Sequence, residues 1–204
     1  AAIYFVDVPG AKQSVISIGC LAIPRNHPDF NPLVVANYKL GAASLSGIFN
    51  TILREEKGFT YGANSSVSGY ENFGTFKASS RVRTNATLES VSIFKTEMEK
   101  YGQNMPQEYI DFTKAGMIKS NARRFETIGS LLGMLNTITF YDLPVDFVKQ
   151  EEDYIKNLTP EIQLEVVKKY IDPSKMYYVV VGDAKTQFKD LEKVGLGKPV
   201  LVKG

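Results

Sequence analysis

Apolar and polar residues alternate over about residues 2–8 and again over 13–23, which predicts two strands joined at the turn signal Pro9-Gly10. The loop Pro24-Arg25-Asn26-His27-Pro28 then leads into a helical period from about 31 to 57, carried by Leu33, Val34, Asn37, Leu40, Leu45, Ile48, Phe49 and Ile52. Gly41, Ala42, Ala43, Ser44 and Gly47 interrupt it. A glycine costs about 1 kcal/mol in a helix interior, so these small residues predict a break or the close approach of another backbone. Residues 60–70 and 73–83 alternate again around Glu71-Asn72, flanked by Gly69 and Gly74, the pattern of a hairpin. Its alternation is partly polar, which suits a sheet with one face open to water or to a second domain.

Beyond the hairpin the period lengthens. Leu88, Val91, Phe94, Met98 and Tyr101 form one helical stripe. Tyr109, Phe112, Gly116 and Met117 form the next, after Pro106 at a helix start. Thr127 is a candidate cap for a third helix, in which Ile128, Leu131, Leu132, Leu135 and Ile138 trace a single apolar face. All three stripes are expected to be core. Leu143-Pro144 breaks the pattern before a short helix over about 145–156, and Thr159-Pro160-Glu161 starts another that ends near Asp172-Pro173. Met176 to Val181 is a continuous apolar run suited to a central strand. A short helix from about 186 and a strand from Pro199 to Val202 complete the sequence. This order of elements predicts an α+β fold, a largely antiparallel sheet with helices packed on one face.

Composition narrows the picture. With 204 residues, 44% of them hydrophobic, one domain over residues 1–204 is expected. No apolar stretch approaches the roughly 18 residues that span a bilayer. A net charge of +2, with no basic stripe interleaved with aromatics, argues against a nucleic-acid partner. The tightest basic pair, Arg123-Arg124, is expected on a solvated helix end. Cys20 is the single cysteine, so no internal disulfide forms, and its place in an alternating strand predicts a small buried hydrophobe. The chain opens on Ala1-Ala2 with no signal-peptide pattern, so it is expected to be a piece of a longer polypeptide. Its compartment, cytoplasm or bacterial periplasm and cell envelope, stays open.

The chemistry concentrates at Ile52-Leu53-Arg54-Glu55-Glu56-Lys57-Gly58-Phe59-Thr60-Tyr61. An apolar helix face runs into a charged turn, Gly58 stops it, and an alternating segment begins at once with Tyr61 as its second residue. Such a helix-to-strand corner brings a guanidinium and a phenol together, both donors suited to a carbonyl oxygen or an oxyanion. A plainer reading is a cation complementing the helix dipole and a tyrosine packed in a half-buried strand. Glu55 and Glu56 in the same last turn work against the dipole, by a few tenths of a kcal/mol each, so dipole optimisation does not explain the cluster.

Leu53-Arg54-Glu55-Glu56-Lys57-Gly58-Phe59-Thr60-Tyr61-Gly62 also resembles the signature of the pitrilysin (insulinase-type) zinc metallopeptidase family, in the second, non-catalytic domain of each pair. The likeness extends to Ile3-Tyr4-Phe5-Val6-Asp7, Gln13-Ser14-Val15, Asn37 to Gly41, and Val179-Val180-Val181-Gly182-Asp183-Ala184. It implies a clamshell half-domain that faces a similar catalytic half and encloses a peptide substrate. By the resemblance Arg54 holds a substrate backbone carbonyl, and the Tyr61 hydroxyl donates to the oxyanion that develops as zinc-bound hydroxide attacks. Both would be contributed in trans to the partner's active site. The family's usual Ser-Arg-Leu triplet before this motif is replaced by Gly47-Ile48-Phe49, so that arginine is missing.

The zinc belongs elsewhere. A catalytic zinc needs about three protein ligands plus a carboxylate that activates water, arranged in this family as an inverted His-x-x-Glu-His helix. This chain has one histidine, His27, in a turn, and none on the helix from Leu45 to Glu56. No metal or cofactor is therefore expected in this chain, and zinc is expected in a catalytic partner domain or subunit. Two other functions stay open: a non-peptidase scaffold domain of the same fold in a larger assembly, and an independent peptide-binding module.

Overall fold

The alternating segments form strands at Ala2–Asp7 (β1), Gln13–Ala22 (β2), Thr60–Gly69 (β3), Gly74–Arg83 (β4), Tyr177–Gly182 (β5) and Val200–Val202 (β6). These belong to a computed structural model that describes residues 1–121 and 125–202. The Arg123-Arg124 pair lies outside the described residues. The six strands make one sheet in the order β3-β4-β2-β5-β1-β6. Three pairings are antiparallel (β3 with β4, β4 with β2, β2 with β5), while β1 runs parallel to both β5 and β6. The apolar run ending at Val181 is central, as its composition predicts, and β3 is an edge.

One face of the sheet carries the core. Ile3, Phe5, Ile16, Ile18, Phe76, Ala78, Val82, Tyr178 and Val180 are buried beneath the helices. On the other face Val15, Leu21 and Tyr177 are exposed beside the half-buried Tyr4. The helices are Phe30–Asn37 (α1), Ile48–Asn50 (α2), Thr87–Tyr101 (α3), Gln107–Asn121 (α4), Ile128–Tyr141 (α5), Phe147–Lys156 (α6), Pro160–Tyr170 (α7) and Ala184–Gln187 (α8). The expected stripe of α3 is core: Val91, Phe94, Met98 and Tyr101 are buried, and the Phe94 ring lies 4.7 Å from that of Phe49. The Tyr101 hydroxyl donates to the Ala36 carbonyl at 2.9 Å, and burial pushes its phenol well above the ordinary value.

The small residues between α1 and α2 do both things expected of them. The chain continues α1 as a wide, π-helical turn over Tyr38–Ala42, then breaks at Ser44, whose φ is +51°. A Cβ on Gly41 would lie 2.6 Å from the Ser65 amide nitrogen, so only glycine lets this turn press against β3. Past the break, α2 runs into a second π-helical stretch, Thr51–Glu56.

Three expectations about burial need correction. Thr127 does cap α5, accepting the Ser130 N–H at 3.0 Å, but no side chain of α5 is buried. Ile128 is 87% exposed, Leu132 57% and Leu135 60%. Periodicity identifies an amphipathic helix without saying what covers it, and the inner face of this sheet is already filled by the other helices. The stripe of α4 is rotated: Ile110 and Thr113 are buried, whereas Tyr109, Phe112, Gly116 and Met117 are only partly so. Cys20 is half-buried, and its burial, reinforced by Asp172, raises the thiol pKa.

The aromatic pair at the centre gives a direct stability test. Phe94→Ala is expected to destabilise the domain by about 3–5 kcal/mol, read as a lowered midpoint in chemical denaturation.

Candidate functional site

The corner begins with Leu53, which is buried and fixes the rotation of the Thr51–Glu56 turn, leaving Arg54 half-buried beside it. Three backbone bonds end the turn: Lys57 N–H to Ile52 O (3.0 Å), Gly58 N–H to Arg54 O (3.1 Å) and Phe59 N–H to Leu53 O (2.9 Å). This is a glycine C-cap widened by one residue because the turn is π-helical. Gly58 has φ +62°, the left-handed conformation that a side chain disfavours. Lys57 pairs with Glu89 of α3 at 2.7 Å, and that hydrogen bond raises the lysine pKa.

The strand that follows is not regular. Thr60 pairs with Val82 and Ala63 with Ser80, so Tyr61 and Gly62 together oppose Arg81 in a β-bulge. In an unbroken strand Tyr61 would share a face with Ala63 and Ser65, both buried beneath the helices. The bulge releases it, and Tyr61 is 94% exposed. The reading of Tyr61 as strand packing is thereby overturned.

Side chains hold the bulge where the ladder cannot. The Thr60 hydroxyl donates to the Arg81 carbonyl at 2.7 Å and accepts the Gly62 N–H at 3.0 Å. The Ser80 hydroxyl donates to the Gly62 carbonyl at 2.9 Å. The Ala63 N–H goes to Asn50 Oδ1 at 3.2 Å, and Asn50 Nδ2 donates to the Leu45 carbonyl at 3.1 Å. One buried asparagine thus ties the bulge to α2 and to the turn before it. Two residues further along β3, Asn37 does the same with Ser65, its Nδ2 donating to the Ser65 carbonyl at 3.1 Å and its Oδ1 accepting the Ser65 hydroxyl.

Arg54 and Tyr61 therefore stand on the two arms of a tightly capped corner. Neither side chain makes a hydrogen bond, ion pair or ring contact with a described residue, so both keep their donors free. Arg54 and Tyr61 offer N–H and O–H groups to an oxygen acceptor, while the carboxylates of the same turn, Glu55 and Glu56, are exposed to water. Among the described residues no three His, Cys, Asp or Glu side chains converge where they could hold a metal ion. His27 Nδ1 accepts the Asp29 N–H at 3.0 Å within its own turn.

Sequence reasoning passed over Asn50, Thr60, Ser80 and the exposed Arg81 opposite the bulge. A signal for the first was present: Asn50 is polar within the apolar run Ile48, Phe49, Ile52 and Leu53. For Thr60 and Ser80 nothing local distinguishes a bulge anchor from an ordinary strand residue.

Comparison with known proteins gives a consistent answer. The family model described as the peptidase M16 inactive domain matches residues 1–117, more than half of the chain. The mitochondrial presequence protease of Schizosaccharomyces pombe is 26% identical over 168 residues, covering 80% of this chain and 15% of that protein. A solved peptidase M16 inactive domain from Pseudomonas fluorescens superimposes with a TM-score of 0.83 at 23% identity, covering 90% of this chain and 44% of that one. A solved protease from Helicobacter pylori gives 0.76 at 14% identity, covering 88% and 43%. The chain spans less than half the length of each of these relatives.

The asparagine anchor can be tested by itself. Asn50→Ala leaves the Ala63 N–H and the Leu45 carbonyl without their partner, at a cost of about 1–3 kcal/mol. Faster amide hydrogen exchange at Ala63 than at the interior residues of β2 is the expected mark of that loss.

Proposed function

The chain belongs to the peptidase M16 inactive-domain family, and on that premise we propose that it is the substrate-holding, non-catalytic half of a two-part zinc metallopeptidase. One observation carries this role. A bulge turns Tyr61 out of the buried face of an edge strand and leaves it 94% exposed, beside an arginine that no described residue engages. A structural tyrosine gains nothing from such a position, whereas a donor aimed at a ligand requires it.

In this role Arg54 binds a backbone carbonyl of an extended peptide, its rigid fork of N–H groups fixing the peptide's register. The Tyr61 hydroxyl donates to the carbonyl oxygen that gains negative charge when the peptide bond is attacked. The Gly58 cap and the Thr60, Ser80 and Asn50 bonds fix the backbone beneath the phenol before substrate arrives, so little reorganisation is left for the reaction itself. The zinc ion and the general base lie on a companion domain or subunit. Relatives more than twice as long as this chain are consistent with such a companion.

Tyr61→Phe in the assembled enzyme is expected to lower kcat by about 10²–10³ while leaving the melting temperature unchanged, since the hydroxyl makes no hydrogen bond with a described residue. Arg54→Lys keeps the charge and loses the fork, and is expected mainly to raise KM. Steady-state peptide hydrolysis with circular-dichroism melts checks both. Unchanged hydrolysis by the Tyr61 variant would rule out this role.

A further inference from the structure

We propose that α5 is an interdomain contact helix whose apolar face lies against an uncharged, apolar surface of the companion domain. The 14 residues of α5 carry several large apolar side chains in water: Ile128, Leu131, Leu132, Leu135 and Phe140 are 87%, 43%, 57%, 60% and 66% exposed. Single exposed apolar residues are ordinary, but the contiguous stripe of Ile128, Leu131, Leu132 and Leu135 marks a contact surface. Its other side rests on its own domain: Met134, Thr137, Ile138 and Tyr141 are half-buried, and the Tyr141 hydroxyl donates to the Gly69 carbonyl at 3.4 Å.

Charge defines the occupant's chemistry. No residue from Ile128 to Tyr141 is charged, although 23% of the whole chain is. A charged partner surface would lose its hydration against this helix and find no counter-charge, so the matching surface is neutral and apolar. Size defines which occupant it is. More than half of the solved relative from Pseudomonas fluorescens lies outside the matched part, which is room for a second domain of comparable size. The bare side of the sheet is a second uncovered surface, where Val15, Leu21 and Tyr177 are 37%, 78% and 58% exposed.

The inference rests on the companion domain of the proposed function but not on the roles of Arg54 and Tyr61. Its test uses the assembled enzyme with the photo-crosslinking residue benzoylphenylalanine at position 128. The expected crosslinks join α5 to peptides outside residues 1–204, and they are lost when Leu132→Glu and Leu135→Glu are added. These two side chains reach water in the domain itself, so the double variant keeps its fold, which unchanged hydrogen exchange in β2 verifies. Crosslinks to a second copy of residues 1–204, no crosslink at all, or crosslinks that survive the double variant would each overturn the proposal. Full activity of the Tyr61 variant together with the expected crosslinks would remove the substrate role and leave this interface standing.

Discussion

The constraint on which the rest depends is the attachment of the edge strand β3 to the helix layer. Its inward side chains include Ala63 and Ser65, too small for apolar burial to hold it, since even a fully buried Leu or Phe contributes only about 1.5–3 kcal/mol. Polar bonds do the work instead. Asn37 grips Ser65 and Asn50 grips the Ala63 amide, each from a wholly buried position. The glycine at position 41 lets the backbones come near enough for those bonds to form. Hydrogen bonds have a narrow range of distance and angle, so such a strand is positioned more sharply than one held by apolar contact.

That sharpness matters because the bulge at Tyr61-Gly62 is metastable by itself. It takes the Ala63 amide off the ladder, and an amide buried without a partner is costly. Asn50 satisfies it, while Thr60 and Ser80 close the opposite side. The result is a phenol that projects from a rigid base. The backbone that carries the neighbouring arginine is fixed by the buried Leu53 next to it and by the Gly58 cap.

Much of this was legible in the sequence. Alternation located β1 to β4 and a continuous apolar run located β5, each to within a residue or two; Thr127 caps α5 as expected, and Thr159 caps the helix whose start Thr159-Pro160-Glu161 signalled. Gly41 and Gly47 marked a break that is present. The corner was readable because Gly58 separates two different periods. The bulge was not, because a one-residue slip leaves no mark on a period-2 pattern that is already partly polar. The exposure of α5 was equally invisible: an apolar stripe looks the same whether it faces its own core or another domain. The two failures share a cause, since each concerns what a side chain faces and not which element it belongs to.

The uncovered helix and the bare sheet face describe a domain shaped to be joined, and the free donors at Arg54 and Tyr61 describe what it would bring to that union. The most direct measurement is a structure of the assembled enzyme bound to a tetrahedral peptide analogue. The account predicts the Tyr61 hydroxyl about 2.7–3.1 Å from the analogue's oxyanion-mimicking oxygen, with the Arg54 guanidinium on a neighbouring backbone carbonyl. A bound analogue with both side chains turned to bulk solvent would contradict it.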